Sequence, residues 1–161
     1  MKIRKATMDD LKELTEIEAK CFPVEEAATK ESFKGRLEIY PDCFWILENE
    51  NGKIVSFVNG MVSDREVIED EMFENPSMHN SNGKWQMIFG VNTLPEYRRQ
   101  GLAEKVLRQV IEDARKKGRK GAVLTCKERL VNYYAKLGFV NEGISESSHG
   151  GAVWYDMRII F

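Results

Sequence analysis

The sequence predicts an α/β fold of the α+β kind: a mixed, mostly antiparallel sheet of about seven strands flanked by about four helices, in a single domain over residues 1–161. Three observations point there. An apolar run at 85–91, an amphipathic stretch at 102–117 and a second apolar run at 121–126 follow one another as strand, helix and strand. That order at that spacing implies a right-handed parallel crossover. Asn51-Gly52 sits between two apolar runs and marks a hairpin turn. The chain closes with apolar runs at 139–144 and 152–161, suited to a terminal antiparallel pair.

Taken in order, Ile3 to Ala6 reads as a short strand. Asp9 or Asp10 caps a helix that carries Leu11, Leu14, Ile17 and Cys21 on one face. Pro23 interrupts it, and a second helix runs from Glu25 or Thr29 to Leu37 or Ile39. Cys43 to Leu47 is a strand, and the hairpin returns over Lys53 to Val62. The acidic stretch from Asp64 to Glu74 is either a short helix or a loop. Trp85 to Val91 forms the strand that enters the crossover. In the crossover helix Leu102, Ala103, Val106, Leu107, Val110, Ile111 and Ala114 recur at helical spacing. Lys116, Lys117 and Gly118 provide a basic last turn and a stop. A further helix spans Leu130 to Leu137.

The entry to the crossover helix carries chemistry. It reads Arg98-Arg99-Gln100-Gly101-Leu102-Ala103. The first turn of a helix has backbone N–H groups without intrahelical partners and the positive end of the helix dipole. Glycine at the bend admits an anion to the backbone, Ala103 keeps the entrance open, and two arginines add charge. The arrangement describes a pocket for a diphosphate. Ligands in such units sit at the carboxyl ends of the strands, where this turn lies.

Composition narrows the class further. A chain of 161 residues with 42% hydrophobic content can bury a sizeable core without metal or disulfide support. A net charge of −2 gives no general basic surface, so nucleic acid is not an expected partner. No stretch has membrane-spanning character, and no membrane partner is expected. Cys21, Cys43 and Cys126 form no CxxC pair and read as reduced thiols in a cytoplasmic protein. Cys126 ends an apolar strand and reads as a buried structural thiol. His79 and His149 read as surface residues without partners at metal-ligand spacing, so no metal site is expected. Phe22, Phe33, Phe44 and Trp45 could line an aromatic substrate pocket, but most of them read as core.

On two motifs the chain resembles the GCN5-related N-acetyltransferase superfamily. Arg98-x-x-Gly101-x-Ala103 is similar to its acetyl-CoA pyrophosphate signature, and Tyr133-Tyr134-Ala135-Lys136-Leu137-Gly138-Phe139 to its aromatic-Tyr-x-Lys-x-Gly-Phe segment. They stand in the family's order, one helix and one strand apart. The resemblance implies acetyl-CoA as cofactor, with coenzyme A as product. It implies cofactor-binding positions at Arg99, Gln100, Gly101, Leu102, Ala103 and Glu104, the last turning its carboxylate away. The strand end at Phe89-Gly90-Val91 would offer backbone groups to the pantetheine arm. Tyr134 falls at the family's acid position: a phenol stays protonated at neutral pH and can donate to a departing thiolate. The family's asparagine six residues earlier is Glu128 here.

The segment Cys21 to Thr29 resembles the arylalkylamine N-acetyltransferase-like branch, in whose insect members a glutamate matching Glu26 is the base. The two histidines used in the vertebrate branch correspond to Trp85 and Met87, which cannot accept a proton. Glu26 is therefore the expected catalytic base, with Glu25 its nearest rival. The implied reaction is direct acetyl transfer to a small primary amine, arylalkylamine or polyamine-like, by a monomer or homodimer. A peptide or protein amine as acceptor, and a non-catalytic acyl-CoA sensor, are the alternatives. A protein acceptor needs an open groove between the flanking loops.

Overall fold

Backbone pairing sorts the strands into two sheets that part at one place, and that place makes the cleft. The computed structural model describes residues Met1–Phe161. In chain order the elements are β1 (Lys2–Lys5), α1 (Leu11–Cys21), α2 (Lys30–Ile39), β2 (Phe44–Glu48), β3 (Ile54–Asn59), β4 (Val62–Ser63) and α3 (Glu71–Glu74). There follow β5 (Trp85–Ile88), β6 (Gly90–Thr93), α4 (Leu102–Lys116), β7 (Gly121–Cys126), α5 (Val131–Ala135), β8 (Val140–Ile144) and β9 (Tyr155–Ile160). One sheet has the order β1-β2-β3-β6, the other β4-β5-β7-β9-β8. Only β5 and β7 run parallel, joined by the crossover through α4; every other pair is antiparallel. No helix is long and apolar enough to cross a membrane.

Two strands read from the sequence as continuous are each broken in two, which accounts for nine strands rather than seven. The 85–91 run divides at Phe89 and the 53–62 run at Gly60-Met61, and the two breaks lie side by side. Met87 N–H donates to Met61 O at 2.8 Å and Phe89 N–H to Asn59 O at 2.7 Å, so the paired chains pass together from one sheet to the other. Gly60 permits the crossing: a Cβ there would lie 1.9 Å from Met87 O. One cluster of 34 buried residues spans both sheets, including Leu14, Phe33, Phe57, Met87, Val106 and Met157, so the sheets share a core.

The crossover helix follows its pattern closely, while the helix expected over Leu130 to Leu137 shrinks to Val131–Ala135 behind a 3-10 turn at Glu128–Leu130. In α4 Val106, Leu107, Val110 and Ala114 are buried and the opposite face is charged. The second helix begins at Lys30, where Thr29 Oγ1 accepts from Ser32 N–H at 3.1 Å; residues 23–27 form a separate turn. Ahead of α1 a single 3-10 turn intervenes, and Asp10 reaches back to Thr7 N–H at 2.8 Å instead of capping forward. Burial works to raise the proton affinity of Asp10, but two hydrogen bonds from Arg4, at 2.8 and 2.9 Å, and the one from Thr7 hold its carboxyl below the usual range. A depressed folded-state pKa contributes stability above the unfolded value, near ~3.9, that is lost as pH falls through the folded one. Asp10→Asn should therefore lower Tm at pH 7, with the gap to wild type narrowing in thermal melts below about pH 4.

Candidate active site

At Ile88 the last parallel pair, Ile88 with Leu124, closes the contact between β5 and β7. Beyond it β6 stays with β3, and its other edge has no strand partner. On the far side Thr125 and Cys126 pair only with β9. The result is a wedge between Gly90–Thr93 and the end of β7, opening into a cleft of about 880 Å³. Phe89, Gly90 and Val91 line it.

One end of the cleft is the turn before α4. Gly101 has φ 75 and Arg99 φ 63, two left-handed residues that flip the chain into the helix. Arg98 serves the turn rather than the cleft centre, its Nε donating to Thr93 O at 3.0 Å. The first hydrogen bond of the helix is Lys105 N–H to Gly101 O. None of the six preceding amides, Arg99 to Glu104, donates to a protein acceptor. A Cβ on Gly101 would meet nothing within 4 Å, so the hollow over these amides is open. Arg99, Gly101, Leu102, Ala103 and Glu104 border the cleft, while Gln100 is exposed outside its lining. Glu104 turns along the helix to Arg108 at 3.0 Å, leaving the amides unoccupied.

Tyr134 enters the cleft from α5, buried at 6% exposure and packed edge-on against Phe139 and Tyr133. Burial pushes its phenol far up, with Tyr133 and Cys126 adding to the effect, so the hydroxyl keeps its proton. Tyr133 is half-exposed. Cys126 is buried, its Sγ 3.5 Å from Met157 Sδ, and desolvation raises its thiol to about 11. An inert thiol follows.

The other end of the cleft is closed by a loop. Residues 145–154, between β8 and β9, lie across both the 22–29 loop and the acidic segment around Asp70. Glu26 lies in the cleft wall, ion-paired to Lys127 Nζ at 2.7 Å, and its backbone oxygen contacts His149 Nε2 at 2.8 Å. The His149 ring also packs at a tilt against Phe73, centroids 4.6 Å apart. Gly150 packs against Glu25 and Glu26 so closely that a Cβ would meet Glu26 Cγ at 2.6 Å. Ser147 and Ser148 both donate to Asp70. Glu25 is exposed and lies outside the cleft lining.

Both histidines depart from expectation. His149 is part of this closure, and His79 is half-buried against Tyr40 at 4.8 Å, its Nδ1 accepting from Val62 N–H at 3.0 Å. Desolvation lowers the pKa of His79. Packing across distant segments, invisible in local sequence, half-buries both.

Beneath Gly90 lies a polar floor that sequence reasoning did not find: Glu18, Arg36 and Asn59, exposed 6%, 3% and 1%. Arg36 donates to Asn59 Oδ1 at 2.8 Å and to Phe73 O at 2.9 Å. The signal was available. Glu18 follows Leu14 by four positions and precedes Cys21 by three, which sets a carboxylate on the apolar stripe of α1.

Fold and cleft together define an α/β domain whose cleft opens at the start of the crossover helix, at the carboxyl end of the strand before it. The chain belongs to the acetyltransferase (GNAT) family, whose model matches residues 11–139. No curated protein sequence matches it significantly. Among solved structures it is similar to the GphF GNAT-like decarboxylase in complex with isobutyryl-CoA, 20% identical over 99% of each chain with TM-score 0.84. The loading GNATL domain of CurA from Lyngbya majuscula is 18% identical over 99% of this chain and 96% of that one, TM-score 0.85. The ribosomal-protein-S18-alanine N-acetyltransferase from Escherichia coli is 19% identical over 99% and 92%, TM-score 0.74.

Proposed function

We propose that the protein is an acetyl-CoA-dependent N-acetyltransferase for a small primary amine, with arylalkylamines and polyamines the leading acceptors. The observation that carries the reading is the run of six unpartnered amides at Arg99–Glu104 beside the split strand. Such a donor set, with the Arg99 charge and an open hollow, fits the diphosphate of coenzyme A. Similar structures solved in complex with isobutyryl-CoA and with coenzyme A support that fit.

In this reading the unpaired edge of β6 aligns the pantetheine amides as a neighbouring strand would. Tyr134 donates its phenolic proton to the sulfur as charge gathers there. Glu26, anchored by Lys127, forms the acceptor wall and is the residue through which water would carry a proton outward. Contact between the 145–154 and 22–29 loops closes the groove a polypeptide acceptor needs, which supports a small one. The three free thiols suit a reducing cytoplasmic setting, and the shared core supports one catalytic domain over residues 1–161. A panel of primary amines of graded size, incubated with acetyl-CoA and followed by thiol release, tests the proposal. Turnover with arylalkylamines or polyamines is expected; release only with a peptide amine would overturn the acceptor class.

A second reading has one observation in its favour. The backbone match to the GphF decarboxylase and the CurA GNATL domain is closer than to the protein acetyltransferase, at TM-scores of 0.84 and 0.85 against 0.74. Arg36 at the floor offers a cation to a carboxylate-bearing acyl group. Carbon dioxide release from malonyl-CoA without amine would favour it.

A further inference from the structure

Three polar atoms converge on the space under Gly90. A Cβ on Gly90 would lie 3.7 Å from Glu18 Oε1 and 3.4 Å from both Asn59 Nδ2 and Asn92 Nδ2. All three atoms are buried, and none makes a hydrogen bond of good distance and angle in the protein, Asn92 standing only close enough to favour the Glu18 carboxylate. Native interiors seldom leave such groups unpaired, so a cluster of three beside a cleft marks a place built for a polar visitor. Two of the three orientations are set by neighbours. Asn59 Oδ1 is held by Arg36, which turns Nδ2 inward, and Glu18 Oε2 accepts Ala28 N–H at 3.0 Å, which leaves Oε1 free. Gly90 and Glu18 both line the cleft, so the free oxygen stands beside the strand segment where the thioester would lie. Glu26, by contrast, has its carboxylate engaged by Lys127.

We infer that Glu18 is the carboxylate that takes the proton from the acceptor ammonium, directly or through one water held by Asn59 and Asn92. The inference rests on the amine acetyltransferase reading above. The ammonium gives one proton to Glu18, and the freed nitrogen lone pair attacks the acyl carbon. The C–N bond forms, the C–S bond breaks, and sulfur leaves with the bonding pair to take the Tyr134 proton. The nitrogen's surplus proton restores Tyr134 through solvent, and Glu18 releases its own to solvent. Amide, thiol and one proton result.

The surroundings suit that task. Desolvation pushes Glu18 up from the ordinary glutamate range, against the pull of Ala28 N–H, Arg36 on α2, Asn92 on β6 and His149 on the closing loop. Cys21 is the titratable neighbour on its own helix. A carboxylate with raised proton affinity is a better match for an amine near neutral pH than an exposed one.

The test compares phenethylamine with its less basic β,β-difluoro analogue, similar in size and largely uncharged at pH 8. Glu18→Gln should lower kcat/KM for phenethylamine by about 100-fold, and for the fluorinated amine by no more than a few-fold. Equal losses with both amines, or none, would overturn the inference, as would the same discrimination appearing in Glu26→Gln instead. Calorimetric binding of coenzyme A checks that the variant is folded. If Glu18→Gln does not fold, Glu18→Asp keeps the charge and withdraws it by one methylene; an amine-dependent loss supports the role and an equal loss overturns it. Wild-type protein that binds coenzyme A yet turns over no amine overturns both readings. An active wild type without the discrimination overturns Glu18 alone.

Discussion

Tyr134→Phe is expected to lower kcat about 100-fold at saturating substrates while leaving the calorimetric Kd for coenzyme A within a factor of two. The argument is one of timing. A phenol that hydrogen-bonds sulfur matters little while sulfur is a neutral thioester atom and matters most when it leaves as a thiolate, so its removal falls on the transition state. Burial keeps the hydroxyl protonated through the working pH range, which makes it a donor and never a competing anion. Loss of one hydroxyl from a ring packed between Phe139 and Tyr133 leaves the packing in place. An acyl donor with a more acidic thiol needs less help, and with it the penalty should shrink. A kcat equal to wild type with both donors would take Tyr134 out of the mechanism.

Ala103→Glu should weaken coenzyme A binding at least 100-fold in calorimetry without destabilising the fold. Ala103 is the second residue of α4, after Gly101 as N-cap and Leu102. A glutamate there places a carboxylate against the six free amides, satisfying donors that the diphosphate would use and repelling its charge. The same carboxylate is favourable to the helix dipole, so Tm should hold or rise slightly. Opposite signs in the two measurements separate a binding effect from misfolding. Unchanged affinity would show that the anion site lies elsewhere.

Much of this was legible in the chain because it is local. The α4 boundaries and the Asn51-Gly52 hairpin each depend on residues within a few positions of one another, whereas the sequence leaves the start of the second helix open between Glu25 and Thr29, and the Thr29 cap decides it. The turn before α4 belongs to the same class: Gly101, the arginines and the helix start are contiguous, and of the six positions named from the sequence all but Gln100 line that end of the cleft. The break at Phe89 was not legible, because the 85–91 run is apolar on both sides of it. What breaks the strand is the crossing chain at Gly60, about thirty residues earlier, and only pairing in three dimensions brings them together.

The sequence by itself determined most of the elements, the order of strand, crossover helix and strand, and the string of amides at Arg99–Glu104 that the helix leaves without partners. Local spacing and the directionality of the helix suffice for these. Tertiary structure alone decided that the sheets part at Phe89, that Glu26 is tied to Lys127, and that Glu18, Asn59 and Asn92 turn unpartnered atoms on one point beneath Gly90. Those features join segments far apart in the chain, and the cost of leaving polar atoms dry is incurred only when folding removes water from around them.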